Sequence, residues 1–178
     1  MPKKWIVCFT LILFALVITG CGQVYTNTDD YQEYLDSIPG SNAFMPVLTD
    51  IPAFQTCEIY YYDRLGQSIN LVITYSDETY ETAKETVLGS YLFLQTPLVE
   101  NDYYLIPETE FEYESFTIKV VDDDNFDYPE QFGMIGYSDA NHQISFLFFF
   151  DDSLSQLSDN SGRMTRFIEK EFWFPEDN

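Results

Sequence analysis

The densest run of metal-ligating side chains in this sequence is Asp122, Asp123, Asp124, Asn125 and Asp127, five oxygen-bearing groups within six positions. Hard cations such as Ca2+ take about six to eight oxygen ligands and favour such a run. The twelve-residue calcium loop does not fit it, however. Started at Asp123, that loop puts Tyr128 where the sharp turn needs glycine and Met134 where the bidentate glutamate belongs. Glu108, Glu110, Glu112 and Glu114 recur at period two, so on a strand they would project from one side as a second row of oxygens. A solvated acidic edge, which discourages edge-to-edge pairing, accounts for that row without any ligand. No cofactor is expected; Ca2+ at the acidic turn is the alternative.

Other chemistry is poorly supplied. Gly136-Tyr137-Ser138-Asp139-Ala140 holds a serine between small residues, but Ala140 replaces the final glycine of a nucleophile elbow. The stretch also leads into a hairpin strand, whereas the elbow is a strand-to-helix turn. The single histidine, His142, lies four residues beyond Ser138, at the far side of the turn and in contact with water. One histidine and one spare cysteine cannot furnish a zinc site without several carboxylates. Among 30 acidic residues some pair at a hydrolase spacing is always available, so such a pair carries little information. Cys57 reads as a small buried hydrophobe. The catalytic set is therefore empty, and a carboxylate-based hydrolase is the remoter alternative to a protein that is not an enzyme.

The elements that must position these groups follow from periodicity. Tyr31, Tyr34, Leu35 and Ile38 sit at i, i+3, i+4 and i+7, with Thr28 or Asp29 as N-cap and Pro39-Gly40 as the stop, which predicts a short amphipathic helix. Residues 41–53, with Pro46 and Pro52, read as irregular chain lying across the core. Residues 54–63 and 69–76 flank a polar turn and predict a hairpin. Residues 77–92 switch to helical period through Tyr80, Ala83, Val87, Leu88 and Tyr91. Residues 93–107 read as a long connection. Residues 110–121 predict one strand whose alternation slips near Ser115, which a one-residue bulge would reconcile. Residues 131–138 and 142–150 predict a second hairpin, and Phe146-Leu147-Phe148-Phe149-Phe150 is apolar on both faces, as in a central covered strand. A last helix carries Met164, Phe167, Ile168 and Phe172. The expected fold class is α+β: an antiparallel sheet of about five strands with two to three helices packed on it, one globular domain over residues 29–178.

On the sheet face away from the main core, Tyr60, Tyr62, Val72, Ile135 or Tyr137, and Leu147 with Phe149 would stand together. If cover lies on one face only, Tyr60, Tyr62, Tyr137 and Phe149 form an exposed aromatic partner surface. If the N-terminal helix or residues 93–107 cover it, the same residues are a second core layer.

The N-terminus sets the address. Lys3 and Lys4 precede an uncharged, mostly apolar run of 14 residues, Trp5 to Ile18. As a helix it would rise roughly 21 Å, short of the ~30 Å hydrocarbon core, so it reads as an export signal. It closes on Ile18-Thr19-Gly20-Cys21, which resembles the lipobox of bacterial lipoproteins, with Ile18 in place of the usual leucine. The resemblance covers residues 1–21 only. It implies that Cys21 receives a diacylglyceryl thioether, that residues 1–20 are removed, and that Cys21 becomes the N-terminus. Residues 21–28 would then be lipidated cysteine and short tether. Two acyl chains suffice for stable anchoring, since each buried methylene contributes ~0.8 kcal/mol.

Charge agrees with a covalent anchor. Eight basic residues face 30 acidic ones, a formal charge of −22, and losing Lys3 and Lys4 deepens it. Such a body is repelled by nucleic acid phosphates and by anionic lipid, so no nucleic acid partner is expected. With Cys21 alkylated, Cys57 has no intrachain partner and no disulfide framework supports the domain. The expectation is a cell-membrane lipoprotein on the extracytoplasmic side. It would be a non-enzymatic binding domain whose partner is a protein or another surface component.

Overall fold

The computed structural model describes residues 23–25, 28–51, 53–63 and 67–157. In chain order they form β1 (Gln23–Tyr25), α1 (Tyr31–Ser37), α2 (Ser41–Phe44), β2 (Thr56–Asp63), β3 (Gln67–Thr74), α3 (Tyr80–Ser90), β4 (Leu98–Glu100), β5 (Tyr103–Ile106), β6 (Glu110–Tyr113), β7 (Phe116–Val120), β8 (Gln131–Ser138) and β9 (Gln143–Phe150). Seven strands make one antiparallel sheet in the order β1-β2-β3-β9-β8-β7-β6, and β4 with β5 forms a separate two-stranded sheet. The class is α+β, as the periodicity predicts.

The predicted two-sided strand is the middle one. In β9, Ile144 to Phe149 are all buried. Register then sorts the sheet into two faces. The first carries Ile59, Ile69, Leu71, Ile73, Ile135, Ile144, Phe146 and Phe148 and is roofed by α1, α2 and α3 through Tyr31, Leu35, Phe44, Tyr80 and Ala83. The second carries Tyr60, Val72, Ile118, Val120, Phe132, Met134, Leu147 and Phe149 beneath Leu94, Ile106, Leu154 and Leu157. Both faces are core.

Local chemistry explains the roof. Gly40 adopts φ +82°, a left-handed value that suits glycine, and so lets α2 fold back after the Pro39 stop. Ser41 is buried and its Oγ donates 2.7 Å to the Leu35 carbonyl, a second bond to a helix-end carbonyl that also accepts the Ile38 amide at 3.3 Å. The Tyr31 hydroxyl donates 3.0 Å to the Pro46 carbonyl and fixes residues 45–51 across the core. The predicted N-caps are replaced by a 3-10 turn, Thr28–Asp30, leading into α1.

Four sequence expectations change. The slip near Ser115 is a chain reversal and not a bulge: Tyr113 pairs with Phe116, and Glu114 at φ +49° turns the corner. Residues 93–107 contain the β4–β5 hairpin. The stretch expected as a free tether contributes β1, with Gln23, Val24 and Tyr25 opposite Tyr61, Tyr60 and Ile59. Residues 41–53 are partly helical. The sheet accordingly has seven strands in place of about five. The expected helix around Phe167 lies outside the described residues.

Two glycines in this fold respond oppositely to a methyl group. A Cβ at Gly133 would lie 2.8 Å from the Phe44 ring and 2.9 Å from Phe126, and Phe44 is itself wedged among Tyr91, Phe126 and Phe148. Gly89, in α3, has nothing within 4 Å. In urea denaturation, Gly133→Ala should lose about 1–3 kcal/mol by overpacking. Gly89→Ala should gain about 0.4–1 kcal/mol by stiffening the unfolded chain.

Candidate functional site

The densest polar network among the described residues joins the start of α3 to the β8–β9 turn. The Ser76 carbonyl accepts the Thr79 and Tyr80 amides at 3.1 and 3.0 Å and sets the helix start, while the Tyr75 amide donates 2.9 Å to the His142 carbonyl. Tyr80 and Lys84 are one helical turn apart and share a face. Both reach the turn: the Tyr80 hydroxyl and the Lys84 Nζ each donate 2.7 Å to Asp139 Oδ1. Lys84 also lies 2.9 Å from Glu81 Oε2 and sits 4.9 Å above the Tyr80 ring centroid. His142 holds a left-handed backbone, φ +51°, that lays its imidazole 5.0 Å from the Tyr80 ring. Its Nδ1 lies 2.9 Å from Asp77 Oδ1, an ion pair only when the imidazole is protonated.

The electrostatics follow from these contacts. Hydrogen bonds from Lys84 and Tyr80 hold the Asp139 carboxyl below the usual carboxylate range. Burial first, and then the Asp139 carboxylate, push the Tyr80 phenol far up. The same carboxylate and Glu81 raise Lys84. Beside the network Lys84, Val87, Leu88, Ile135, Tyr137 and Ile144 pack together between α3 and the sheet, with no space between them large enough for a water molecule. This arrangement pins a helix to a turn.

It does not assemble a nucleophile. Ser138 is fully buried and its Oγ accepts the Asn141 amide at 3.3 Å, while His142 is engaged with Asp77. Cys57 is half-buried on the helix-covered face, and burial with Glu58 beside it raises its thiol.

The acidic turn exists to plug one end of the sandwich. Phe126 packs against Phe44, Phe148 and Tyr128 at ring separations of 5.7, 6.2 and 5.9 Å. The Tyr128 hydroxyl donates 2.5 Å to the Val121 carbonyl, and burial lifts that phenol to about 12. Asp123 Oδ1 is already taken by the Asn125 amide and side chain at 2.9 and 2.7 Å. Asp122, Asp124 and Asp127 are exposed. Among the described residues, no group of three or more His, Cys, Asp or Glu side chains is gathered to hold a metal ion. Two of the four glutamates in the row are likewise engaged: Glu110 pairs with Lys119 at 2.6 Å and Glu112 accepts the Thr117 hydroxyl at 2.8 Å, each across the β6–β7 hairpin. Glu108 lies before that hairpin, half-buried, with its carboxyl raised by burial; Glu114 is in the turn.

The four aromatics of the expected partner surface do not share one. Phe149 is 0% exposed and Tyr60 5%, both within the second core. The Tyr60 hydroxyl donates 2.7 Å to Glu58. Tyr62 is half-buried, and Tyr137 points to the helix-covered face, where Lys84 lies 5.8 Å from its ring. Among the described residues the large exposed hydrophobics are Val47, Leu92, Val99 and Tyr103, none on the seven-stranded sheet. Cys21 lies outside the described residues. The residues that sequence reasoning passed over are Tyr80 and Lys84 as partners of Asp139. Their separations of 59 and 55 positions leave no local signal.

Set against protein-family models, curated proteins and solved structures, the chain matches none of them.

Two expectations follow. Asp139 is held below its ordinary value of 3.8, so its contribution is complete above the unfolded value and fades as pH falls through the folded one. Thermal midpoints of wild type and Asp139→Asn should differ most at pH 7, by an amount equivalent to about 0.2–1 kcal/mol for an exposed pair, and converge as pH falls below the folded value of Asp139. Because the acidic turn is closed by its own hydrogen bonds, millimolar Ca2+ should leave the midpoint unmoved. A rise by mass action would restore the Ca2+ reading.

Proposed function

We propose that this protein is an extracytoplasmic lipoprotein, held to the cell membrane through an acylated Cys21, whose globular domain binds a protein or surface component without catalysis. The observation that carries the reading is the N-terminal sequence: Lys3-Lys4, an apolar run too short to span, and Ile18-Thr19-Gly20-Cys21. The thiolate of Cys21 is the nucleophile such a position needs.

Charge supports it from another direction. Among the described residues the only cationic side chains are Lys84 and Lys119, and each is committed to carboxylates. Among the described residues no lysine or arginine is left free to hold anionic lipid, so a covalent lipid is a consistent means of retention. Among the described residues, no helix is long and apolar enough to cross a membrane. The non-catalytic part of the reading is supported by the placement of Ser138, His142 and the acidic turn, each committed to structural contacts.

Fractionation of cells producing the full chain tests the anchor. Wild type should be recovered with membranes and its N-terminal peptide should carry a diacylglyceryl mass on Cys21. Cys21→Ser should retain residues 1–20 and lose that mass. An unmodified Cys21 thiol in the mature wild type would remove the proposal.

A further inference from the structure

The strand that replaces the expected tether gives the anchored domain a direction. β1 begins at Gln23, two residues after Cys21, and Gln23 stands opposite Tyr61 near the end of β2. Two residues span at most about 7 Å. The acylated cysteine, on the reading proposed above, must therefore leave the sheet beside the end of β2 and the start of β3.

Register shows what else occupies that end. Gln67 of β3 pairs with Phe150 of β9, Phe150 pairs with Gln131 of β8, and Glu110 of β6 pairs with Lys119 near the end of β7. The Asp151 amide donates to the Glu130 carbonyl at 2.8 Å across the same end. The anchor end thus holds Asp151, Asp152, Glu130 and the 122–127 turn. The opposite end holds the 139–142 turn, Asp77 and the start of α3, because Thr74 pairs with Gln143 and Ser138 with Gln143. Strands of eight residues separate the two ends by roughly 26 Å.

We infer that the membrane is met by the end bearing the 122–127 turn and Asp152, and that the Asp77–His142 and Lys84–Asp139 network is displayed outward. Pairing of β1 leaves only Cys21 and Gly22 between lipid and sheet, so the domain is held by one corner and not swung on a flexible leash. The membrane-facing end is rich in exposed carboxylates, Asp122, Asp124, Asp127 and Asp152. Anionic headgroups repel it within about a Debye length, ~8–10 Å. Apposition is therefore imposed by the anchor, and the outer turn and the start of α3 stay clear for a partner arriving from outside.

The inference rests on acylation of Cys21, and one experiment separates the two. In full-length Cys57→Ser protein, purified in acylated form and reconstituted into phosphatidylcholine vesicles, a fluorescent donor is placed at Asp152→Cys or at Ala140→Cys, both exposed positions. Energy transfer to an acceptor lipid is then compared. With turns roughly 26 Å apart, transfer from position 152 should exceed that from position 140 by at least about twofold. A Gly-Ser insertion of about eight residues after Gly22, with an r.m.s. reach near 16 Å, should bring the two values together. Vesicle flotation and the N-terminal mass report acylation independently. An unacylated chain sinks both ideas, whereas an acylated, floating chain with equal transfer from the two positions overturns the orientation alone.

Discussion

A strand whose side chains are apolar on both faces cannot border water on either, and β9 is that strand. Ser145, the one polar residue within its buried stretch, is fully buried and donates 2.6 Å to Asn70 Oδ1 on β3. Phe146 and Phe148 point one way and Leu147 and Phe149 the other, each requiring its own cover. The helices supply one cover. The chain around Leu94, Ile106, Leu154 and Leu157 supplies the other. Small residues admit the large ones: a Cβ on Gly136 would approach the Phe116 ring and the Ser145 Cβ to 3.3 Å. The aromatic face expected as a docking surface is consumed by this requirement.

What the sequence made legible is what local periodicity encodes. The β2–β3 and β8–β9 hairpins, α1, α3 and the central position of residues 146–150 all carry an alternation or a 3.6-residue stripe. The β6–β7 reversal was hidden because its corner is Glu114-Ser115, without the glycine or asparagine that usually marks left-handed backbone. The parity shift was visible, but a bulge and a two-residue turn both change parity, and only pairing of Tyr113 with Phe116 separates them. β1 is three residues long, too short for any periodic signal; it exists because the edge of β2 offers unpaired backbone groups. The β4–β5 hairpin turns at Asn101 and Asp102, both at positive φ, so a turn signal was present, but Pro97 and Pro107 outweighed it.

The polar network was invisible for a different reason. Tyr80, Lys84 and Asp139 are ordinary residues for an exposed helix and an exposed turn, and their meeting depends on how α3 crosses the sheet. The acidic runs show the converse: conspicuous in sequence, they are accounted for by solvent, by Lys119 and Thr117, or by the backbone of the turn. Composition overstated them, because a chain with so many carboxylates places some of them close together everywhere.

The scarcity of cations links fold to address. Each described lysine joins elements distant in sequence or on adjacent strands: Lys84 ties α3 to the β8–β9 turn, and Lys119 ties β7 to β6 while lying 5.5 Å from the Phe93 ring. Both described lysines are thus committed inside the fold, while the whole chain carries a formal charge of −22. A chain of that net charge is repelled by an anionic bilayer and by its own copies. On the proposed membrane location, retention comes from a group that charge cannot screen. The proposed acyl chain on Cys21, two positions before β1, would meet that condition, and the pairing of β1 with β2 would pass the constraint into the sheet.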